Sequence, residues 1–372
     1  MQLAYTPEGY IDWPLILSKD APYNLIIDAR TRGKTFGLRY QCALRDYPKR
    51  HKRFVELART KEQLKGSDAL QVGYYAKMYS ALPDDALLSR YLLDTQGRIA
   101  RIAQRPASDD EKPKWDTLGY FLALSDAGNI KNRSNSFADV RRFIFDEALL
   151  DRRIDKVHNY LPNEVEAVSS IMTSVSRENV NTPDADRPRL YLLGNAVDLT
   201  CPWLAHFGIT DVPSYGFSWH FGGRCLLWYG PPDDSWATAQ EESVSGGLLA
   251  GTLTSAANNL NEFVTLDGSY FGTVPKGATF AFGLAYQGDA FGVWLDAREG
   301  YYYVCAGLPK DTANKPIYAL TASDARPNYI MARRAQKSLK GFVDLYYMGI
   351  VRYSDHATRA RFLQALSLFG VR

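Results

Sequence analysis

Two short stretches hold residue types at spacings suited to phosphate chemistry. Asp28-Ala29-Arg30-Thr31-Arg32-Gly33-Lys34-Thr35 follows the apolar run Leu25-Ile26-Ile27. It fits the G-x-x-x-x-G-K-[ST] pattern at Gly33, Lys34 and Thr35, with Asp28 where the first glycine stands. In such a loop, backbone N–H groups at a helix N-terminus hold phosphates. Lys34 would reach the β- and γ-phosphates, and Thr35 would turn its hydroxyl to Mg²⁺. The second stretch, Val140-Arg141-Arg142-Phe143-Ile144-Phe145, ends in Asp146-Glu147. Asp146 supplies the carboxylate that a magnesium site at a strand end needs, and Glu147 an acid to activate water. ATP and Mg²⁺ are therefore the expected cofactors. Arg30, Thr31, Arg32, Gly33, Lys34 and Thr35 would surround the phosphates, with Thr35 and Asp146 at the metal.

Asp tolerates left-handed backbone better than most residues, and Arg30 and Arg32 are expected to offset the charge of Asp28. Asn195, after Leu190-Tyr191-Leu192-Leu193-Gly194, reads either as a γ-phosphate sensor at a strand tip or as a plain turn residue. Arg177, at the exit of a helix beginning near Asn163, is the candidate finger for a neighbouring subunit's nucleotide; Lys131 and Arg133 compete for that role. Upstream, Tyr5, Tyr10 and Trp13 either stack on a base or strap the sheet edge.

These groups need strands to place them. Residues 54–58, 120–125, 140–145 and 190–193 read as strands and residues 36–44 and 163–176 as helices, and this alternation implies a mostly parallel α/β sheet. Residues 71–93 read as a helix packed through Tyr74, Tyr75, Met78, Tyr79 and Leu82. The basic run Lys49-Arg50-His51-Lys52-Arg53 reads as a solvated face or a phosphate contact. Beyond Phe207 the texture turns rich in Gly, Trp and Tyr, so a boundary is placed there: residues 1–208 as one domain, 209–228 as a linker, 229–372 as a second. The C-terminal part reads as α+β, with strands at residues 279–286, 291–295 and 301–305 and helices at 328–339 and 357–369.

At 372 residues two domains are the natural expectation. A net charge of +3 neither demands nor excludes nucleic acid. The four cysteines are too scattered for a metal site and are expected to be reduced thiols. No apolar run is long enough for a membrane span, so a soluble intracellular protein without membrane partners is expected.

The ordered set of motifs resembles the DNA-encapsidation ATPases of phi29-like tailed phages, compact relatives of the large terminase subunits. It runs from the Arg-containing loop ending Gly-Lys-Thr through Phe-Val-Glu-Leu-Ala-Arg-Thr-Lys, Phe-Ile-Phe-Asp-Glu and Asn-Glu-Val-Glu to Leu-Gly-Asn-Ala-Val-Asp-Leu-Thr-Cys-Pro-Trp. The resemblance implies a P-loop NTPase of the ASCE type followed by a smaller α+β, RNase H-like domain. It implies ATP hydrolysis coupled to translocation of double-stranded DNA, in a homomeric ring, expected as a pentamer, on the portal of a prohead in the host cytoplasm. It leaves a packaging RNA open as a further partner. Nuclease activity is not expected: where terminases carry a metal-binding acid, Phe280-Ala281-Phe282-Gly283-Leu284-Ala285-Tyr286 has Ala285, and Asp289 lies in the next turn. Lys337, Lys340, Arg333 and Arg334 would offer a basic face there. Another P-loop translocase or helicase, a terminase with active nuclease, and a non-catalytic DNA- or capsid-binding module stand as alternatives.

Overall fold

The computed structural model describes residues 3–64, 90–108, 110–132, 137, 139–150, 160–161, 163–197, 199–263, 270–312 and 314–369. The chain divides into two compact units. One comprises Met1–Leu150, Glu164–Val197 and Pro213–Glu262; the other comprises Asp151–Asn163, Asp198–Val212 and Phe263–Arg372.

The first unit is built on a nine-stranded sheet. Its strands are β1 (Tyr23–Ile27), β2 (Arg53–Ala58), β3 (Tyr91–Gln96), β4 (Ile99–Gln104), β5 (Asp116–Ala123), β6 (Val140–Phe145), β7 (Arg189–Gly194), β8 (Gly216–His220) and β9 (Cys225–Tyr229). They lie in the order β3-β4-β5-β2-β6-β7-β1-β9-β8. From β5 to β9 every pairing is parallel, while β3, β4 and β8 add antiparallel edges. Central strands covered on both faces read as continuous apolar runs, and every residue of β6, β7 and β9 is buried. The expectation of a mostly parallel α/β sheet is borne out. On one face Ile26, Ile144, Leu193 and Trp228 pack with Trp13, Ile16 and Leu38.

Three local readings change. β8 and β9 occupy the stretch read as a linker: the five residues Cys225–Tyr229 are all buried and pair in register with β1. The glycines behind the change of texture, Gly222 and Gly223, are left-handed turn residues of the β8–β9 hairpin. Tyr91–Leu93, read as the end of a helix, open β3; the aromatic stripe at residues 74–82 lies outside the described residues. The helix after the loop runs Lys34–Leu38 and widens into a π-helical segment at Arg39–Leu44. The basic run that follows ends the short Asp46–Arg50 helix, turns at a left-handed His51 and enters β2 at Arg53.

The second unit carries a six-stranded sheet of β10 (Thr279–Tyr286), β11 (Asp289–Asp296), β12 (Tyr301–Ala306), β13 (Ile317–Ala319), β14 (Ile330–Met331) and β15 (Val351–Tyr353). β10, β11 and β12 form an antiparallel meander, β13 runs parallel to β10, and β14 parallel to β13. This is the strand arrangement of an RNase H-like sheet, extended by β15 beside β12. The helices Ala332–Tyr347 and His356–Ser367 pack on it through Leu339, Phe342, Phe362 and Leu366.

Candidate active site

In an open parallel sheet, ligands bind beyond the carboxyl ends of the strands. The loop follows β1 and Asp146 follows β6, with β7 between them and Asn195 just past its end. Gly33 is left-handed (φ +76°) and stands at the N-terminus of the Lys34–Leu38 helix. Thr31 is also left-handed, at φ +64°.

The structure brings several predicted residues together. Thr35 Oγ1 donates to Asp146 Oδ2 at 2.9 Å, so hydroxyl and carboxylate already face one another. Lys34 Nζ donates to the carbonyls of Asp28 (2.7 Å) and Ala29 (2.6 Å). Burial pushes its ammonium down to about 8, against the opposing pull of Asp28 and Asp146. Asn195 Nδ2 donates to the same Asp28 carbonyl at 3.1 Å. Glu147 is exposed and left-handed (φ +53°), directly after Asp146. Arg30 is exposed at the loop tip, its carbonyl accepting from Trp236 Nε1. Arg177 ends the Glu164–Ser176 helix, exposed and left-handed. Lys131 closes the Ala127–Asn132 helix, and Arg133 lies outside the described residues.

Asp28 and Arg32 behave differently from expectation. The Asp28 carboxylate is completely buried and accepts from the Ala29 N–H (2.8 Å), Trp228 Nε1 (2.8 Å) and Tyr5 Oη (3.0 Å). Burial raises its pKa, opposed first by the Lys34 charge and then by those donors. The offset expected from Arg30 and Arg32 thus comes from Lys34, Trp228, Ala29 and Tyr5. Arg32, 1% exposed, turns its guanidinium to Asp233 Oδ2 and the Gly9 carbonyl, both at 2.7 Å. It lies between the rings of Tyr5 and Trp236, at 4.8 and 4.1 Å from their centroids. Its side chain is therefore committed to a clasp, and only its backbone is left to the loop. The Arg32 bond, with Ser235 and the Trp236 N–H, holds the Asp233 carboxyl well below the usual range.

The lead-in segment mostly straps. Trp13 is buried, lies so close to Gly37 that a Cβ there would meet its ring at 2.2 Å, and donates to the Gly33 carbonyl. Tyr10 remains half exposed beside Gly33 and edge-on to Trp236.

The sequence reading missed Arg59 and Glu164. Arg59 directly follows β2 and is buried over the Phe145 ring. It donates to the carbonyls of Glu147 (2.7 Å) and Ala148 (2.8 Å) and pairs with buried Glu164 at 2.8 Å. The turn carrying Glu147 is thereby fixed from below. A charged residue one step past a buried parallel strand was the available signal; the clasp partners Trp228 and Asp233 had none.

In the second unit, Ala285 is buried on β10, and Asp289 opens β11 with its carboxylate bonded to Arg361 at 3.0 Å. Lys340 is exposed; the side chains of Arg333, Arg334 and Lys337 lie outside those described.

The family model for the Podovirus DNA encapsidation protein (Gp16) matches residues 7–366. The DNA packaging protein of Bacillus phage B103 is 24% identical over 347 residues, covering 92% of this chain and 96% of that protein. That of Bacillus phage phi29 is 24% identical over 362 residues, covering 96% and 95%. Among solved structures, the Phi-28 gp11 DNA packaging motor matches with a TM-score of 0.64 at 19% identity, over 97% of this chain and 98% of that one. The phi29 viral genome packaging motor assembly matches with a TM-score of 0.58 at 22% identity, over 98% and 100%. These structural likenesses concern the fold.

Proposed function

Because the chain belongs to the Podovirus DNA encapsidation protein (Gp16) family, we propose that it is a motor subunit that hydrolyses ATP at the Asp28–Thr35 loop to drive double-stranded DNA into a prohead. The observation that carries this reading is the Thr35–Asp146 hydrogen bond, which sets a hydroxyl and a carboxylate side by side at the strand ends. Two hard oxygen donors with Glu147 adjacent fit Mg²⁺. Bound there with ATP, Mg²⁺ would neutralise charge on the β- and γ-phosphates.

The residues divide the remaining work. Backbone N–H groups of residues 31–35, ending at a helix N-terminus, receive the phosphates, while the Arg30 N–H is held by the Asn258 carbonyl at 2.6 Å. Lys34 leaves its two carbonyls to pair with the phosphate oxygens. Glu147 orients and deprotonates the attacking water, and Arg59 holds its turn in place. Asn195 reads the loop through the Asp28 carbonyl. Arg177 acts across a subunit boundary as the finger that stabilises spreading phosphate charge, which requires the chain to work in a ring, a pentamer by family expectation. The ring docks on the portal of the prohead in the host cytoplasm and grips DNA through its phosphates, so that uptake weakens with salt. The second unit serves attachment to DNA, portal or a packaging RNA, without cleavage.

ATP turnover by the full chain, with and without duplex DNA, tests the reading. DNA-stimulated turnover that falls about 10²–10⁴-fold in Glu147→Gln is expected, the usual range for loss of a general base. Equal turnover in both chains would overturn it and favour a binding module.

A further inference from the structure

A second charged site lies at the opposite end of the same strands. Arg141 and Arg142 follow Val140 at the start of β6, and Arg189 opens β7. The Arg141 and Asp146 positions are five residues apart, roughly 17 Å along a strand. Here a cavity of about 430 Å³ is lined by Arg45, Lys49, Arg50, Arg141 and Arg142. Lys49 and Arg50 belong to the basic run that the ATPase reading leaves without a role.

The acids at this cavity are Asp20, Asp46 and Asp184, and other cations already engage them. Arg142 holds Asp46 Oδ2 at 3.1 Å, and Arg50 approaches Asp46 Oδ1 at 3.4 Å. Arg189 grips Asp20 at 2.8 Å and Asp184 at 3.2 Å. Arg141 reaches Asp20 only at 3.4 Å, sharing it with the closer Arg189. Its side chain is 5% exposed, and its buried Nε has no partner among the described residues. Burial, and after it the charge of Arg142, pushes the Arg141 guanidinium down from its ordinary value. A buried cation so weakly paired is costly unless an anion completes it.

We propose that this cavity binds a phosphate group, with Arg141 as its buried ligand and Lys49 and Arg50 as its rim. Arginine's planar fork suits phosphate oxygens, and the volume admits an anion larger than one phosphate. The phosphate comes either free, as inorganic phosphate or pyrophosphate, or on a nucleic-acid backbone.

The test uses the full chain carrying Lys34→Ala, which silences the nucleotide loop. In one arm pyrophosphate is titrated calorimetrically; in the other a fluorescent duplex DNA is bound and then competed with pyrophosphate. Saturable pyrophosphate binding, weakened at least tenfold by adding Arg141→Met, would assign a free-anion site. DNA binding that pyrophosphate displaces, and that Arg141→Met weakens at least tenfold, would assign the backbone. If Arg141→Met fails to fold, by circular dichroism, the rim variant Lys49→Ala takes its place, with a weakening of about threefold or more expected. Affinities in both arms that the folded variant leaves unchanged, or no binding in either arm, would overturn the proposal.

Discussion

Replacing Asp28 by glycine restores the residue that the phosphate-loop pattern prescribes, and it should damage the protein. The carboxylate does not face the phosphate site. It gathers the Ala29 N–H, Trp228 Nε1 and Tyr5 Oη at 2.8, 2.8 and 3.0 Å, and so joins β1 to β9 and the N-terminal segment. A hydrogen bond to a charged group contributes about 1.5–3 kcal/mol. Three are lost in Asp28→Gly, partly offset because a buried carboxylate no longer needs desolvating. Glycine also enlarges the unfolded ensemble by about 0.4–1 kcal/mol. The net expectation is a loss of about 3 kcal/mol, a fall in Tm of about 6–12 °C for a unit of this size. Urea unfolding followed by tryptophan fluorescence reads this directly. Asp28→Asn keeps the shape and one acceptor oxygen and should lose about 1 kcal/mol at neutral pH. Its pH dependence carries the sharper signature. Burial raises the folded-state pKa of Asp28, so its contribution is fully present below the unfolded pKa of about 3.9 and is lost as pH rises through the folded value. The wild-type advantage over Asp28→Asn should therefore grow as the pH is lowered towards the unfolded pKa. A constant difference, or Asp28→Gly unfolding at the wild-type urea midpoint, would refute the reasoning.

Gly230→Ala places a Cβ at 2.5 Å from Asp28 Cγ and Tyr5 Oη; an overpacking loss of about 1–3 kcal/mol in urea unfolding is expected. Arg32→Ala removes the guanidinium between Tyr5 and Trp236, and should expose Trp236 as a red shift in fluorescence with a loss of about 1–3 kcal/mol, mostly packing. Lys34, at about 8 in the free chain, becomes fully protonated when it pairs with phosphate. ATP binding should then take up about 0.5 proton at pH 8 and about 0.1 at pH 7 through this group, measured by calorimetry in buffers of different ionisation enthalpy. An uptake that does not rise with pH would count against that role.

Local pattern made much of the first unit legible. Residues 190–193 are a continuous apolar run, residues 54–58 are one interrupted only by Glu56, and residues 143–145 close β6 as another; both acids at the end of β6 follow from where that run stops. The same logic applied to Cys225–Tyr229 would have found β9, but neighbouring aromatics and glycines obscured it. β9 joins the sheet by pairing with β1 across some two hundred residues, and such non-local pairing leaves no local trace. Asp28 and Arg32 went astray for that reason. Their side-chain directions are set by Trp228, Asp233 and Trp236, which only the closed sheet brings near. Arg59 was readable from position, whereas its partner Glu164 depended on how the following helix packs.

The shared Asp28 carbonyl has a consequence for repeated turnover. Lys34 and Asn195 both donate to it at rest. On the proposed role of Lys34, its move to a phosphate would leave the Asp28 oxygen still partnered by the amide, while the Ala29 carbonyl would give up its bond to the lysine. On release the lysine returns to a seat that has kept its shape. Charging and discharging the loop would then share one fixed point, the Asp28 carbonyl held by Asn195.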